Sequence, residues 1–389
     1  MALKTSKSIS ILGSTGSIGC STVDLLLRQP DDFNVIALTG NSNVQLLAEQ
    51  ARKLNAEFAC VANPDNYSAL KDALSGTSIE VAAGPEAIVE AAKRETDFVM
   101  ASIVGSAGLA PTLAAVQRGA TIGLANKESL VCAGELMMQG VTEHGATLLP
   151  VDSEHNAIFQ VLDFDRPENI EKLILTASGG PFRQFSLAEM ANVTPEQAVA
   201  HPNWDMGAKI SIDSASMMNK GLELIEAFHL FPVREDQIEI LVHPQSVIHS
   251  MVSYIDGSVL AQLGSPDMRT PIAYALAWPD RMISPSPKLD LAKTAQLNFE
   301  TPDEIRFPAL KLAREALKFG KSAPAVLNSA NEESVQAFLD RKISFLDIPA
   351  IVEEVISSFP HQALNSIDDV IQLDALTREK ARLSIDKRI

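Results

Sequence analysis

Over its first 150 residues the chain alternates short apolar runs with helix-like stretches, and this rhythm constrains the fold more than any other feature. Ser8–Leu12, Asn34–Leu38, Phe58–Val61, Phe98–Ala101, Thr121–Leu124 and Thr147–Val151 read as strands. Between them lie helix-like segments such as Ser21–Arg28, Val44–Leu54, Pro85–Arg94 and Pro111–Arg118. Strand–helix alternation with short connections predicts an α/β chain that opens on a doubly wound parallel sheet.

The pattern changes at Asp152. A helix-like Glu154–Leu162 leads to a strand at Lys172–Ala177, then to a polar stretch rich in Gly and Pro, then to one long helix at about Ser214–Leu230. Ile238–Leu241, Val247–Val252 and Ser258–Leu263 suggest a smaller sheet, and Pro279, Pro285 and Pro287 punctuate an extended linker. Beyond about Phe307 the signals are helical, at Ala309–Leu317, Ala323–Leu339, Phe345–Ser357 and Ile367–Leu383. The expected organisation is a doubly wound, Rossmann-like domain (1–151), a central α+β domain (152–277), a linker (278–303) and a C-terminal helical domain (304–389). With 389 residues, two or three domains are the ordinary expectation.

The run Gly13-Ser14-Thr15-Gly16-Ser17-Ile18-Gly19 sits between the first strand and the first helix. Its Gly-x-x-Gly-x-x-Gly spacing departs from the usual Gly-x-Gly-x-x-Gly, but the physics is similar. Glycines permit the tight turn and let backbone N–H groups approach a pyrophosphate at a helix N-terminus. A plain structural turn is the alternative, and the flanking strand and helix favour a cofactor. At the end of the second strand, Thr39-Gly40-Asn41-Ser42-Asn43 holds no acid for a ribose 2′-OH, which leans toward NADP, and no Arg or Lys for a 2′-phosphate.

Asp152 and Glu154 follow the sixth apparent strand, where ligands bind in such sheets. In an extended segment they point to the same side, as a pair of oxygen donors for a hard divalent cation. A solvated strand end is the bland alternative. On the long helix, Asn219, Lys220 and Glu223 share one face. An exposed ion pair is the ordinary reading of such a trio, but Met217, Met218, Leu222, Leu224 and Ile225 predict burial, and a buried Lys and Glu need partners. The small-residue turn Thr176–Phe182 offers hydroxyls and N–H groups to an anion. Ser214, near the expected helix start, suits the same role or that of an N-cap. The loop His201-Pro202-Asn203-Trp204-Asp205-Met206-Gly207 could cover a ligand as a lid or simply pack on the core. Structural roles are expected for His243 and His249. Lys127, after the fifth strand, joins the glycine turn and Asp152 at one sheet edge.

Taken together, Gly13–Gly19, Leu124–Val131, Pro150–Gln160, Thr176–Phe182, His201–Gly207, Ser211–Ala227, His243–Val252 and Gly264–Pro271 resemble the 1-deoxy-D-xylulose 5-phosphate reductoisomerase family, in the family's order. The resemblance implies conversion of 1-deoxy-D-xylulose 5-phosphate to 2-C-methyl-D-erythritol 4-phosphate with NADPH and Mg²⁺ or Mn²⁺. It implies Asp152, Glu154 and Glu223 as metal ligands, and Ser178, Ser214, Asn219 and Lys220 at the phosphate. Lys127, Ser153, Glu154 and His201 would act at the reacting end, with Trp204, Met206, Glu223 and Met268 also against the substrate. Thr15, Gly16, Ser17, Ile18, Asn41, Asn43, Asn126, Glu128 and Gly207 would touch the cofactor. Many members carry Arg or Lys where this chain has Ser42, which implies a weaker preference for NADPH over NADH. A homodimer is implied as well.

Composition narrows the partners. A formal net charge of −17 argues against nucleic acid, yet leaves room for one anionic substrate held by local Lys and helix N-termini. Cys20, Cys60 and Cys132 lie far apart, without disulfide or zinc spacing, as suits a reducing cytosol. Met1–Ser8 is too short for a leader and no run approaches a membrane span, so the expected location is the cytoplasm. Two other functions compete. A metal-independent NAD(P)-dependent dehydrogenase of another small substrate would act in excess chelator. A non-catalytic NAD(P)-binding redox sensor would leave the carboxylates and the aromatic loop unexplained.

Overall fold

The computed structural model describes residues 6–200, 204 and 207–389. Seven strands form the first sheet: β1 (Lys7–Leu12), β2 (Phe33–Gly40), β3 (Phe58–Val61), β4 (Glu80–Ala83), β5 (Phe98–Ala101), β6 (Thr121–Leu124) and β7 (Thr147–Pro150). Their order is β4-β3-β2-β1-β5-β6-β7, with every neighbouring pair parallel. Parallel neighbours need crossover connections, which the intervening helices supply. β3 and β5 are buried along their whole length and correspondingly read as unbroken apolar runs.

The doubly wound sheet is therefore as the alternation predicts, with one strand more. β4 went unrecognised because an edge strand has little to bury: Glu80 is exposed and Val81, Ala82 and Ala83 are half-buried. Val44–Leu54 is helical with the expected bounds, and the first helix begins earlier than its apolar stripe suggests, at Ser17–Arg28.

The second sheet comprises β8 (Ile170–Ala177), β9 (Ile238–Val242), β10 (Ile248–Tyr254) and β11 (Val259–Leu263), in the order β11-β10-β8-β9. β8 and β9 are parallel, while β10 pairs antiparallel with β8 and with β11. The expected helix over Ser214–Leu230 is two helices, Ala208–Ala215 and Met218–Leu230. Met217 separates them in the left-handed region at φ 64°, and the Ser216 N–H closes the first helix onto Ile212 and Ser214 carbonyls. Ser214 thus lies in the last turn of a helix, so the N-cap reading fails. Helices Ala309–Phe319, Ala323–Leu339, Asp347–Ser357 and Ile367–Asp386 make up the C-terminal helical part.

The chain divides into two compact units. One is drawn from Met1–Ser129, Met137–Asn156 and Met268–Ser286, the other from Leu130–Leu136, Ala157–Asp267 and Pro287–Ile389. Within the first, the returning helix Arg269–Ala277 is tied to the sheet domain by Lys7, whose ammonium donates to the Leu276 carbonyl at 2.9 Å, and by an Arg269–Asp24 contact of 3.3 Å. Within the second, the stretch Leu130–Leu136 loses helical geometry at Ala133 (φ −141°). Gly134 there makes room for the half-buried His229, since a Cβ would sit 2.3 Å from its Nε2.

Candidate active site

In the first unit β1 runs into the glycine turn. Gly13 has φ +86°, and a Cβ there would come within 2.9 Å of the Ser102 carbonyl oxygen; a Cβ on Gly19 would meet the Gly13 oxygen at 2.2 Å. The turn is held from β2: the Gly13 N–H donates to Thr39 Oγ1 and the Ser14 N–H to the Thr39 carbonyl, each at 2.8 Å. Gly16 starts the helix Ser17–Arg28 with no side-chain cap and no acid in the first turn. Such a helix start presents backbone N–H groups and a positive dipole end to an anion. Thr15, with the exposed Gly16 and Ser17 and the half-buried Ile18, lines it. Thr15 also lies beside Gly40, where its Oγ1 would be 3.4 Å from a Cβ.

Beyond β2, Asn41 and Asn43 are exposed, and each has a local task. The Asn43 side chain caps the next helix by accepting from the Leu46 N–H, and the Asn41 carbonyl accepts from Asn66. Asn126 is buried and ties the loop after β5 to the loop after β6. Its amide donates to the Ile103 and Gly105 carbonyls, and its Oδ1 accepts from the Ser129 N–H. Glu128 is buried at the start of the helix that follows.

Lys127 meets Asp152 at 2.5 Å, with both side chains nearly buried. Burial alone would raise the Asp152 pKa; the Lys127 ammonium and His155 more than reverse this and hold the carboxyl well below the usual range. Asp152 and Glu154 do not share an extended segment as expected. A helix begins at Ser153, and Asp152 Oδ1 accepts from the Glu154 N–H at 3.3 Å, so the pair sits at a helix N-terminus. Ser153 donates to Glu154 Oε2 at 2.5 Å. Met268 immediately precedes the helix Arg269–Ala277.

In the second unit, the turn after β8 carries Ser178, whose Oγ accepts from the Gly180 N–H at 3.1 Å. Gly179 and Gly180 have φ of 82° and 69°, and a Cβ on Gly180 would lie 2.7 Å from the Ser214 carbonyl oxygen. The Ser178 turn thus packs on the last turn of the helix that carries Ser214. Past Met217 the next helix presents Asn219, Lys220 and Glu223. Asn219 and Lys220 both donate to the Glu223 carboxylate, and Lys220 and Glu223 are 3% and 1% exposed. A Lys–Glu pair so thoroughly desolvated is costly, and such pairs cluster at functional sites. Gly207 is the exposed residue before the helix Ala208–Ala215. The Trp204 ring lies 6.0 Å from the His249 ring, while His201 and Met206 fall outside the described residues.

Two residues of this neighbourhood escaped the sequence reading. His249, expected to be structural, neighbours Trp204 and senses Lys220; burial first, then the His243 and Lys220 charges, push its imidazole down to about 4, against a hydrogen bond that the ring donates to the Ser265 backbone carbonyl. Its position within an apolar strand hid it. Glu226 is wholly buried, three residues beyond Glu223 on the same helix, and that spacing was its available signal. His243 is structural as expected, bonding the Asn298 carbonyl and the Val247 N–H.

A parallel sheet of this order, opening on an uncapped helix start behind a glycine turn, defines a dinucleotide-binding α/β protein, here with a buried lysine–carboxylate cluster in its companion unit. The family model for 1-deoxy-D-xylulose 5-phosphate reductoisomerase matches residues 9–134, that for its C-terminal domain matches 148–231, and that for the DXP reductoisomerase C-terminal domain matches 263–380. The chain belongs to the 1-deoxy-D-xylulose 5-phosphate reductoisomerase family. It is 61% identical to the 1-deoxy-D-xylulose 5-phosphate reductoisomerase of Rhodospirillum centenum, over 96% of this chain and 93% of that one. The structure of the Zymomonas mobilis reductoisomerase in complex with NADPH superposes with a TM-score of 0.94 at 56% identity, covering 98% of this chain and 100% of that one. A DOX-P reductoisomerase in complex with NADPH, fosmidomycin and magnesium gives 0.92 at 46% identity, covering 98% of each chain.

Proposed function

We propose that this chain is an enzyme that rearranges and reduces 1-deoxy-D-xylulose 5-phosphate to 2-C-methyl-D-erythritol 4-phosphate, with NADPH and a divalent cation, Mg²⁺ or Mn²⁺. The observation that carries the reading is family membership along nearly the whole chain, joined to a buried lysine–carboxylate cluster that an ordinary dehydrogenase does not need. Asp152, Glu154 and Glu223 supply the cation's ligands. The donor set fits, because all three offer carboxylate oxygens, the ligands that hard divalent cations take. When bound, the cation supplies Lewis-acid charge to substrate oxygens and NADPH supplies hydride.

The remaining residues bind, orient and exclude water. Ser178, Ser214, Asn219 and Lys220 hold the phosphate, whose binding energy fixes the reacting end of the sugar. Lys127, Ser153, Glu154 and His201 hold and move protons at the reacting oxygens. Trp204 and Met206 cover the sugar and keep water from the aldehyde that rearrangement produces, with Met268 and Glu223 also against it. The cofactor lies on Thr15, Gly16, Ser17 and Ile18, with Asn41, Asn43, Asn126, Glu128 and Gly207 around it. A homodimer completes the proposal. The four-stranded sheet supports it, since its edge strand β11 leaves Val259 and Leu260 about half exposed, and open apolar edges pair with other chains.

The test is NADPH oxidation on addition of 1-deoxy-D-xylulose 5-phosphate, with Mn²⁺, with excess chelator, and with NADH in place of NADPH. Oxidation that needs both the sugar phosphate and the cation is expected. Undiminished turnover in chelator would remove the metal set from the mechanism.

A further inference from the structure

None of the residues assigned to the substrate lies beyond Met268, yet a residue of the C-terminal helices reaches the anion-binding region. Asp213, next to Ser214, is 1% exposed. Its Oδ2 lies 2.9 Å from Lys209 Nζ, one turn back on the same helix. Its Oδ1 accepts from Asn331 Nδ2 at 2.8 Å, across 118 residues of sequence. Asn331 sits fully buried on the helix Ala323–Leu339, which packs against the helix Ala208–Ala215.

The arrangement is expensive for a packing contact. A buried carboxylate costs more than an apolar side chain of the same volume, even when paired. Asn331 pays again: its Oδ1 has no hydrogen-bond partner among the described residues. Turning the amide over would set that oxygen against a carboxylate, so Asp213 dictates the orientation that leaves the acceptor unsatisfied. What the pair fixes is position. Asp213 locks the rotation of the helix turn whose next residue is Ser214. That turn meets Gly180 beside Ser178, and the chain then bends at Met217 into Asn219 and Lys220. A misplacement of about 1 Å in such a set weakens the recognition of an oxyanion geometry severely.

We propose that Asp213, clamped between Lys209 and Asn331, is a positioning residue for the phosphate-binding set, through which the C-terminal helical part governs affinity for the phosphorylated end of the substrate. This rests on the phosphate assignment proposed above. The proposal is tested in the full-length protein with Asn331→Ala and with the exchanged pair Asp213→Asn/Asn331→Asp, which restores one amide–carboxylate hydrogen bond with the partners reversed. Measured are kcat and KM for 1-deoxy-D-xylulose 5-phosphate, the inhibition constant of inorganic phosphate, the NADPH dissociation constant and Tm. Asn331→Ala is expected to raise KM and the phosphate inhibition constant by about tenfold, the loss of one hydrogen bond to a charged group. NADPH affinity and kcat should change far less, and the exchanged pair should regain most of the phosphate affinity.

A lowered Tm with KM and phosphate inhibition unchanged would make the pair structural and overturn the proposal. So would an equal loss of kcat and NADPH affinity, or an exchanged pair no better than the single variant. If Asn331→Ala does not fold, Asp213→Asn takes its place: a raised KM that the exchanged pair restores supports the clamp, and an unchanged KM overturns it. Wild-type protein that turns over the sugar phosphate while the single variant keeps its KM overturns the clamp alone. Wild-type protein without turnover overturns the functional reading and the clamp with it.

Discussion

Taking a lysine ammonium and a glutamate carboxylate out of water costs several kcal/mol for each ion, and their mutual attraction only partly offsets that. Lys220 and Glu223 are held together almost without solvent, with Asn219 as the third member. Evolution tolerates such a cost more readily where the charges also serve a ligand. Glu223→Gln keeps the volume and removes the negative charge; turnover should fall by roughly a hundredfold and the Mn²⁺ needed for half-activation should rise, with NADPH affinity intact. Unaltered metal dependence would take Glu223 out of the metal set. Lys220→Ala removes a charged donor, so KM for the phosphorylated sugar should rise roughly ten- to a hundredfold while kcat falls less. An unchanged KM would remove Lys220 from the phosphate site.

At the scale of elements, the helices around Gly134 and His229 give a measurable pH dependence. Burial pushes the His229 imidazole from 6.5 down to about 4, so the fold favours its neutral form. The unfolded chain binds that proton first as pH falls. The stability linked to His229 is therefore complete above about pH 6.5 and erodes as pH falls toward 4, by about 3 kcal/mol in full. Chemical denaturation of the wild type and of His229→Gln at pH 7.5 and 5 checks this; equal slopes of stability with pH in the two proteins would exclude His229. The elements themselves were unequally readable. Helices with one apolar stripe, such as Val44–Leu54 and Ala309–Phe319, stand where their periodicity puts them. The break at Met217 was hidden because a left-handed residue usually announces itself as Gly or Asn, and methionine gives no such sign. The candidate site was legible in its charged residues, since Lys220 and Glu223 within an apolar helix demand an explanation. His249 and Glu226 were less visible, because their meaning depends on which strand and helix lie alongside.

The whole molecule carries a formal charge of −17, so its field repels the anions it is proposed to bind. Affinity for a sugar phosphate and for NADPH must come from short-range groups, and raising the salt concentration screens both repulsion and attraction. Among the described residues no helix is long and apolar enough to cross a membrane. The exposed apolar edge β11 offers the route to a larger assembly. Leu260→Lys places a charge on that edge, so light scattering should shift from the mass of the proposed dimer toward that of a monomer while the thermal transition changes little. A variant with the wild-type mass would locate the contact elsewhere.

The interleaving of the two units also sets an order of events during synthesis. The dinucleotide-binding unit needs β7 and, much later, the helix Arg269–Ala277, whose Leu276 carbonyl receives Lys7. A ribosome making the chain from its N-terminus must pass through Ala157–Asp267 before that helix emerges. The half that begins first therefore cannot be finished first: β1 is made at the outset and waits for its last partner until most of the molecule exists. No single cut separates the two halves, and a fragment ending at Ser129 would carry the glycine turn on a sheet with its β7 edge and its closing helix both missing.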